Sequence, residues 1–231
     1  MLAGNVAYIS AKAGSKVLLV DGDPQGSVSS WFLQEALEYE LADVLQGTIS
    51  LEKALVELGE NLCLVPTFGI GGSLKTYAEN ALEKEPLIFQ DLGEGAERVG
   101  FDLVIYDLSP GIGRLERCIL LGCDEVIAPL TPEYLSLDGV DIFSEFLGQV
   151  RKGFKKYVKH EKIVLNLLNK SFRRHEIYRD KIRELGYQLF EVGQDAKIPE
   201  SQIMHLSLLE YDPHSRVIPE LERLSKSLRE G

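Results

Sequence analysis

Asp21 and Asp23 close an apolar run, residues 17–20, and Pro24 and Gly26 turn the chain directly after them. Carboxylates delivered in this way reach the carboxyl edge of a parallel sheet, where open α/β folds bind ligands. A second apolar run, Asp102-Leu-Val-Ile-Tyr-Asp107, also ends in an acid and continues as Leu-Ser-Pro-Gly. Two acid-tipped strands meeting at one edge offer the oxygen ligands of a magnesium–phosphate centre. Asp21 has a second reading as a turn or helix cap without metal contact. Other candidates are weaker. Cys63, Cys118 and Cys123, like His160, His175, His205 and His214, lack metal-ligand spacing. Ser29 and Ser30 read as helix caps, because no histidine can be placed beside them as a base. Gly69, Gly71 and Gly72 fit no phosphate-loop spacing and read as a structural turn.

The elements that must carry these acids follow from periodicity. Strand-like runs fall at residues 16–20, 62–65, 102–106, 125–129, 162–167 and 187–190. Helical patterns fall at 2–13, 29–38, 41–57, 74–99, 112–121, 135–150, 173–185 and 214–229, with 69–100 on the sheet periphery. Near-continuous apolar strands alternating with amphipathic helices predict a doubly wound, mostly parallel α/β sheet with helices on both faces. Trp31 is expected to anchor a helix. No internal repeat or long linker divides the chain, so residues 1–231 read as a single domain.

The chain has 231 residues, 45% hydrophobic and 26% charged, ordinary for a globular protein. No apolar run approaches the roughly 20 residues that span a bilayer, and the start has no basic segment of a signal peptide. Three sparse cysteines suit a reducing cytoplasm. The net charge is −11 but is unevenly spread. Residues 151–183 hold 12 Lys and Arg against 3 Asp and Glu, whereas the rest holds 13 against 33. Such a local field can hold a polyanion on an acidic molecule, and it reads equally as a solvated helix face.

With both acid-tipped strands in place, the sequence resembles the ParA/Soj partition ATPases, relatives of MinD with the P-loop NTPase fold. Lys16-Val-Leu-Leu-Val-Asp-Gly-Asp-Pro-Gln-Gly26 is similar to the family's second strand and following loop. Residues 101–113 are similar to its Walker B strand and proline-containing loop, and 124–139 to the next strand and helix start. Leu209-Glu-Tyr-Asp-Pro-His-Ser-Arg216 is similar to the run before its last helix. The departure is at the front. Leu2-Ala-Gly-Asn-Val-Ala aligns just after the family's glycine-rich phosphate loop, so the first strand, the loop and its lysines are missing from the 231 residues. The expectation is an N-terminally truncated ATPase, with a pseudo-ATPase as the alternative, and no ATPase activity from these residues alone.

The resemblance implies a role for each matching residue. Asp23 would position or activate the attacking water, and Asp107 would hold Mg²⁺ with Asp21 as a supporting carboxylate. Gln25, Gly26, Pro110 and Gly111 would contact nucleotide, with Gly113 in the same loop. Asn166, with Asn169 as rival, would read the adenine edge, and Pro199 would line its other side. Arg173, Arg174, Arg179 and Lys181 would bind DNA without sequence preference. The partners implied are ATP, a second copy in an ATP-bound homodimer, non-specific DNA and a ParB-like protein, in a cytoplasmic, nucleoid-associated setting. A MinD-like membrane-associated regulator is the alternative. The tail from Pro219 mixes charge signs and has no aromatic, which speaks against stable membrane association.

Overall fold

The computed structural model describes residues 1–35 and 37–230, without the side chains of Tyr134, Leu135 and Leu137. Those three side chains belong to the family-like 124–139 stretch, and Ala36 to the predicted helix 29–38; at these positions alone the readings lie outside the described residues. Seven strands form two hydrogen-bonded sheets. The first contains β1 (Val17–Asp21), β2 (Val56–Gly59), β3 (Leu62–Val65) and β4 (Leu103–Asp107), in the order β2-β3-β1-β4. The second contains β5 (Glu125–Leu130), β6 (Lys159–Leu168) and β7 (Gln188–Gly193) in that order. Every pairing is parallel except the β2–β3 hairpin.

β1 explains the doubly wound arrangement. All five of its residues are buried, and alternate side chains serve opposite faces, as the strand period of two requires. Leu18 and Val20 join a cluster with Leu41, Phe89 and Ile119. Val17 and Leu19 join another with Ala7, Tyr8 and Ala11. The first face is covered by α3 (Leu41–Leu45), α5 (Leu74–Asn80), α6 (Ile88–Val99) and α7 (Arg114–Leu121); the second by α1 (Leu2–Lys12).

Helix α1 also joins the two sheets. Its Val6 and Ile9 pack with Val164 of β6, Phe190 of β7, and Leu221 and Leu224 of α12 (Ile218–Arg229). Ile105 of β4 and Ile127 of β5 rest on this same cluster. The Ser10 and Ser225 hydroxyls hydrogen-bond at 2.8 Å between α1 and α12. β4 and β5 are not paired with one another, and their residues are mostly half-exposed where those of β1 are buried.

Several predicted elements change. The helix expected over 41–57 becomes α3, α4 (Leu51–Ala54) and the strand β2. Gly47 at φ 68° adopts the left-handed turn that stops α3, and β2 is recruited as the outer arm of a hairpin with β3, a pairing that the helical pattern of 41–57 does not report. The pattern at 74–99 splits into α5 and α6 around Pro86, since a residue before proline avoids helical dihedrals. The helix predicted over 29–38 is the shorter α2 (Ser27–Phe32), and the last helix begins at Ile218, with Pro at its first turn, rather than at 214. Two short helices, α10 (Lys197–Ile203) and α11 (Leu208–Tyr211), were not predicted. The capping box of α11 was legible: Ser207 accepts from the Glu210 amide while its own amide donates to the Glu210 carboxylate. α8 (Tyr134–Phe154) and α9 (Arg173–Glu184) complete the layers.

Leu19 has no exposed surface. Truncation of such a residue leaves a cavity, so Leu19→Ala is expected to cost about 2–5 kcal/mol, read as a lower guanidinium midpoint with unchanged slope.

Candidate functional site

β1 and β4 are neighbours, and their register sets Asp21 directly opposite Asp107. The Gly22 amide donates to the Asp107 carbonyl at 2.8 Å and extends the pairing beyond the strand. Both acid tips therefore reach the same sheet edge, as the sequence predicts.

Asp21 is completely buried. Its Oδ2 accepts from the Ser29 hydroxyl at 2.6 Å and the Ser29 amide at 2.8 Å; its Oδ1 accepts a longer bond from the Asp23 amide at 3.3 Å. The Ser29 hydroxyl in turn accepts from the Thr67 amide at 2.9 Å, and the Thr67 hydroxyl donates to the Asp21 carbonyl at 2.6 Å. This closed network ties β1, α2 and the segment after β3 together. Burial pushes the Asp21 carboxyl up to about 6 despite the hydrogen bonds from Ser29, which favour the ionised form.

Asp23 lies half-exposed in the turn below. Its Oδ1 accepts from the Gln25 amide at 2.9 Å, and its carbonyl from the Gly26 amide at 2.8 Å. No bond to Oδ2 occurs among the described residues. Gly26 adopts φ 64°, and a Cβ there would lie 2.5 Å from the Thr67 carbonyl oxygen and 2.9 Å from the Gly69 nitrogen. The loop after β1 and the loop after β3 thus touch backbone to backbone, which only glycine permits. Glu40, also buried, accepts from the amides of Phe68 and Ser73 and so clamps the second loop from its far side.

The Asp107 carboxyl is raised chiefly by burial and further by the Asp23 carboxylate, and the Met1 amino group opposes this. Asp23, Asp107 and the start of α1 therefore share one electrostatic neighbourhood. Pro110 and Gly111 are exposed in the loop after β4, which Glu116 pins by accepting from the Ser109 hydroxyl and the Gly113 amide. An open depression of about 510 Å³ lies between these loops, lined by Pro24, Lys75, Arg114 and Glu116 among others.

The remaining predicted residues lie in the second half of the chain. Asn166 Oδ1 accepts from the adjacent Leu167 amide at a break in the β6–β7 register, where Leu167 takes φ 58°. Asn169 is a loop brace: Oδ1 accepts from the Ser171 amide and its Nδ2 donates to Gln194. Pro199 is exposed within α10. On α9, Arg179 is held by Asp180 at 2.9 Å, and Arg183 by Asp180 and Glu191. Arg173, Arg174 and Lys181 are exposed, with no ion pair among the described residues; Arg174 stacks 5.4 Å from the Phe172 ring. Trp31 anchors its helix as predicted, its Nε1 donating to the Leu206 carbonyl at 3.1 Å. Sequence reading missed the Ser29–Thr67 link and the Glu40 clamp; Ser29 binds Asp21 instead of capping α2.

The residues present fit a magnesium ion in part. Asp107 offers a carboxylate with no hydrogen bond to its oxygens among the described residues, at the end of a strand beside Asp23. Oxygen donors of this kind suit Mg²⁺, which takes one or two carboxylates and completes its shell with phosphate and water. No group of three or more potential ligands occurs among the described residues, so a metal here would depend on the phosphate.

The raised Asp21 carboxyl has a definite consequence for stability. The folded state binds the proton more tightly than an ordinary carboxyl at 3.8 does, so this contribution is full below about pH 4 and is lost as pH rises to about 6. The loss is expected to approach 3 kcal/mol, in order of magnitude. Asp21→Asn is expected to flatten that slope, measured by denaturation midpoints across the interval.

Comparison with known proteins supplies the family. A sequence-family model described as an AAA domain (AAA_31) matches residues 2–160. An uncharacterized protein of Borreliella burgdorferi, BBD21, is 41% identical over 229 residues, covering 98% of this chain and 92% of its own length. The chromosome-partitioning ATPase Soj of Treponema pallidum is 24% identical over 229 residues, covering 97% of this chain and 89% of its own. Among solved structures, the septum site-determining protein MinD of Pyrococcus horikoshii, complexed with Mg-ADP, superposes with a TM-score of 0.75 at 21% identity, covering 98% of this chain and 88% of its own. Its likeness bears on the fold, which agrees with the mostly parallel sheet found here. The chain belongs to the AAA_31 family, within the ParA/MinD group of partition ATPases.

Proposed function

We propose that this chain is a ParA-like ATPase domain of chromosome or plasmid partitioning, whose function is ATP-dependent dimerisation, DNA binding without sequence preference and discharge by a ParB-like partner, and that the 231 residues alone do not hydrolyse ATP. One observation carries the reading: the Asp21–Asp107 register brings Asp107 and the Asp23 loop to one edge, close enough for the Asp23 carboxylate to raise the Asp107 carboxyl. Phosphoryl transfer asks a protein mainly for placement and charge stabilisation. The Asp23 Oδ2, without a hydrogen bond among the described residues, would accept one from a water and orient it. Its position is fixed by the Gln25 and Gly26 amides below and by Asp21 behind. Asp107 would hold Mg²⁺, which when bound neutralises phosphate charge. Gln25, Gly26, Pro110 and Gly111 line the approach, and Asn166 and Pro199 are assigned to the base.

The MinD-like alternative calls for a free amphipathic tail. Here Ile218, Leu221 and Leu224 of α12 are buried against α1 and β7, so that apolar face is already covered. This favours the partition reading.

For DNA, Arg173 and Arg174, which have no ion pair among the described residues, are the contacts proposed, with Lys181 beside them; Arg179 is less available because Asp180 holds it. Such contacts grip phosphates and carry no sequence information. Arg173→Glu with Arg174→Glu is expected to weaken binding by tenfold or more, on the order expected for two lost phosphate contacts, and to reduce the salt slope by about 2. Gel shifts over a salt series check this, with circular dichroism reporting the fold. Unchanged affinity at low salt would remove the DNA assignment.

A phosphate group is normally cradled by backbone amides of a glycine-rich loop and a lysine. The described residues hold no such loop, and the 231-residue chain is expected to release phosphate from ATP no faster than the buffer blank. Magnesium-dependent turnover that disappears on Asp23→Ala would show that this chain cradles the phosphates by other means.

A further inference from the structure

We infer that the end of α8 and the turn after it grip a second DNA phosphate backbone, so that one chain holds two DNA segments at once. This rests on the DNA reading above and adds a site to it. The basic residues between 151 and 183 do not form one patch. Arg151, Lys152, Lys155, Lys156 and Lys159 precede or open β6, whereas the six from Lys170 to Arg183 follow its end. Lys162, between them, is buried against Glu125 at 2.7 Å. The Lys159 amide donates to the Asp124 carbonyl at 2.9 Å, which fixes the first group at the start of β5 and β6. β6 has ten residues, so the two groups stand about 30 Å apart, at opposite edges of the second sheet. Salt screens charges over about 8 Å under physiological conditions, so each group presents its own field.

The first group is arranged to meet an anion. No acid occurs from 151 to 159. Arg151, Lys152, Lys155 and Lys159 are exposed and have no ion pair among the described residues, while Lys156 is held by Asp124 at 3.7 Å. The Arg151 guanidinium lies 5.1 Å from the centre of the exposed Tyr157 ring, a contact that places it before any ligand arrives. Arg151 and Lys152 also suit the carboxyl end of the α8 dipole, but Lys155 and Lys159 lie past its last turn. Lys155 caps the helix at φ 55°, a left-handed conformation for which glycine is the ordinary choice. The chain keeps a cation there at a cost in stability.

A phosphate backbone is the occupant that fits. Outside 151–183 the chain carries 13 Lys and Arg against 33 Asp and Glu, so a polyanion is repelled elsewhere and confined to the two groups. Lysine and arginine contacts of this kind grip phosphates whatever the sequence. An anionic bilayer asks in addition for an apolar face to bury. Here the exposed apolar side chains of the group are Phe154 and Tyr157, and Tyr157 lies under Arg151.

The test uses the purified 231-residue chain, one DNA duplex fixed to beads and a second, fluorescent duplex in solution, at low salt. The unaltered chain is expected to carry the fluorescent duplex to the beads. Lys152→Gln with Lys155→Gly and Lys159→Gln is expected to cut that capture at least about tenfold, while still shifting a single duplex in a gel through Arg173 and Arg174. Lys155→Gly alone is expected to lower capture yet raise the melting temperature by about 2–4 °C, opposite directions that a merely structural lysine would not give. An unaltered chain that shifts DNA in the gel but captures no second duplex overturns the second site and leaves the first standing. A chain that shifts no DNA at all removes the DNA reading and the second site with it. Undiminished capture by the triple variant would mean bridging by self-association through the Arg173 face, and overturns the site. So does a triple variant that loses only its sedimentation with phosphatidylserine vesicles, which would assign the group to lipid.

Discussion

A single buried carboxylate organises the edge of the sheet where the chemistry is proposed. Asp21 is removed from water at the end of a fully buried strand, and such burial is tolerated only when its oxygens are satisfied. Ser29 supplies two donors and the Asp23 amide a third, and Thr67 closes the circuit through Ser29 and the Asp21 carbonyl. Three segments distant in sequence are thereby fixed relative to one acid. The half-exposed Asp23 inherits its position from that arrangement.

The support continues outward. The loop carrying Asp23 lies against the loop after β3 through Gly26 and Gly69, at a distance no side chain would allow. Glu40 holds the far side of that second loop through two amides. Neither loop is ordered by its own composition. Each is held by a buried acid from a neighbouring element, which is how a reactive group on a loop gains the rigidity of the scaffold.

Much of this was legible in the sequence because the informative features are local. The apolar runs of β1 and β4, the acids at their tips and the turn residues beyond them need no knowledge of neighbours. The fold class followed from alternating strands and helices. What could not be read depends on which partners the fold brings together, some close in sequence and some far. β2 has a helical neighbourhood and becomes a strand only against β3. Ser29 looks like a cap until Thr67, 38 residues later, and Asp21 are brought beside it. Arg179 and Arg183 count as basic charges in the sequence, yet Asp180 holds both and Glu191, on another element, joins Arg183. Charge counting measures the potential of a segment; the fold decides which cations remain available.

The union of α1 with α12 has a consequence for how the molecule is made. The Ser10–Ser225 bond joins residues 215 apart in the chain, and the cluster beneath it joins the first helix to the last described one. On a ribosome adding 5–20 residues per second, α1 would wait roughly ten to forty seconds for its partner. During that time its apolar stripe, and the sheet face it shares, has nothing from the carboxyl end to cover it. Nascent chains of this protein should therefore lean on holding chaperones until synthesis passes α12, and stalled translation products should be its most aggregation-prone form.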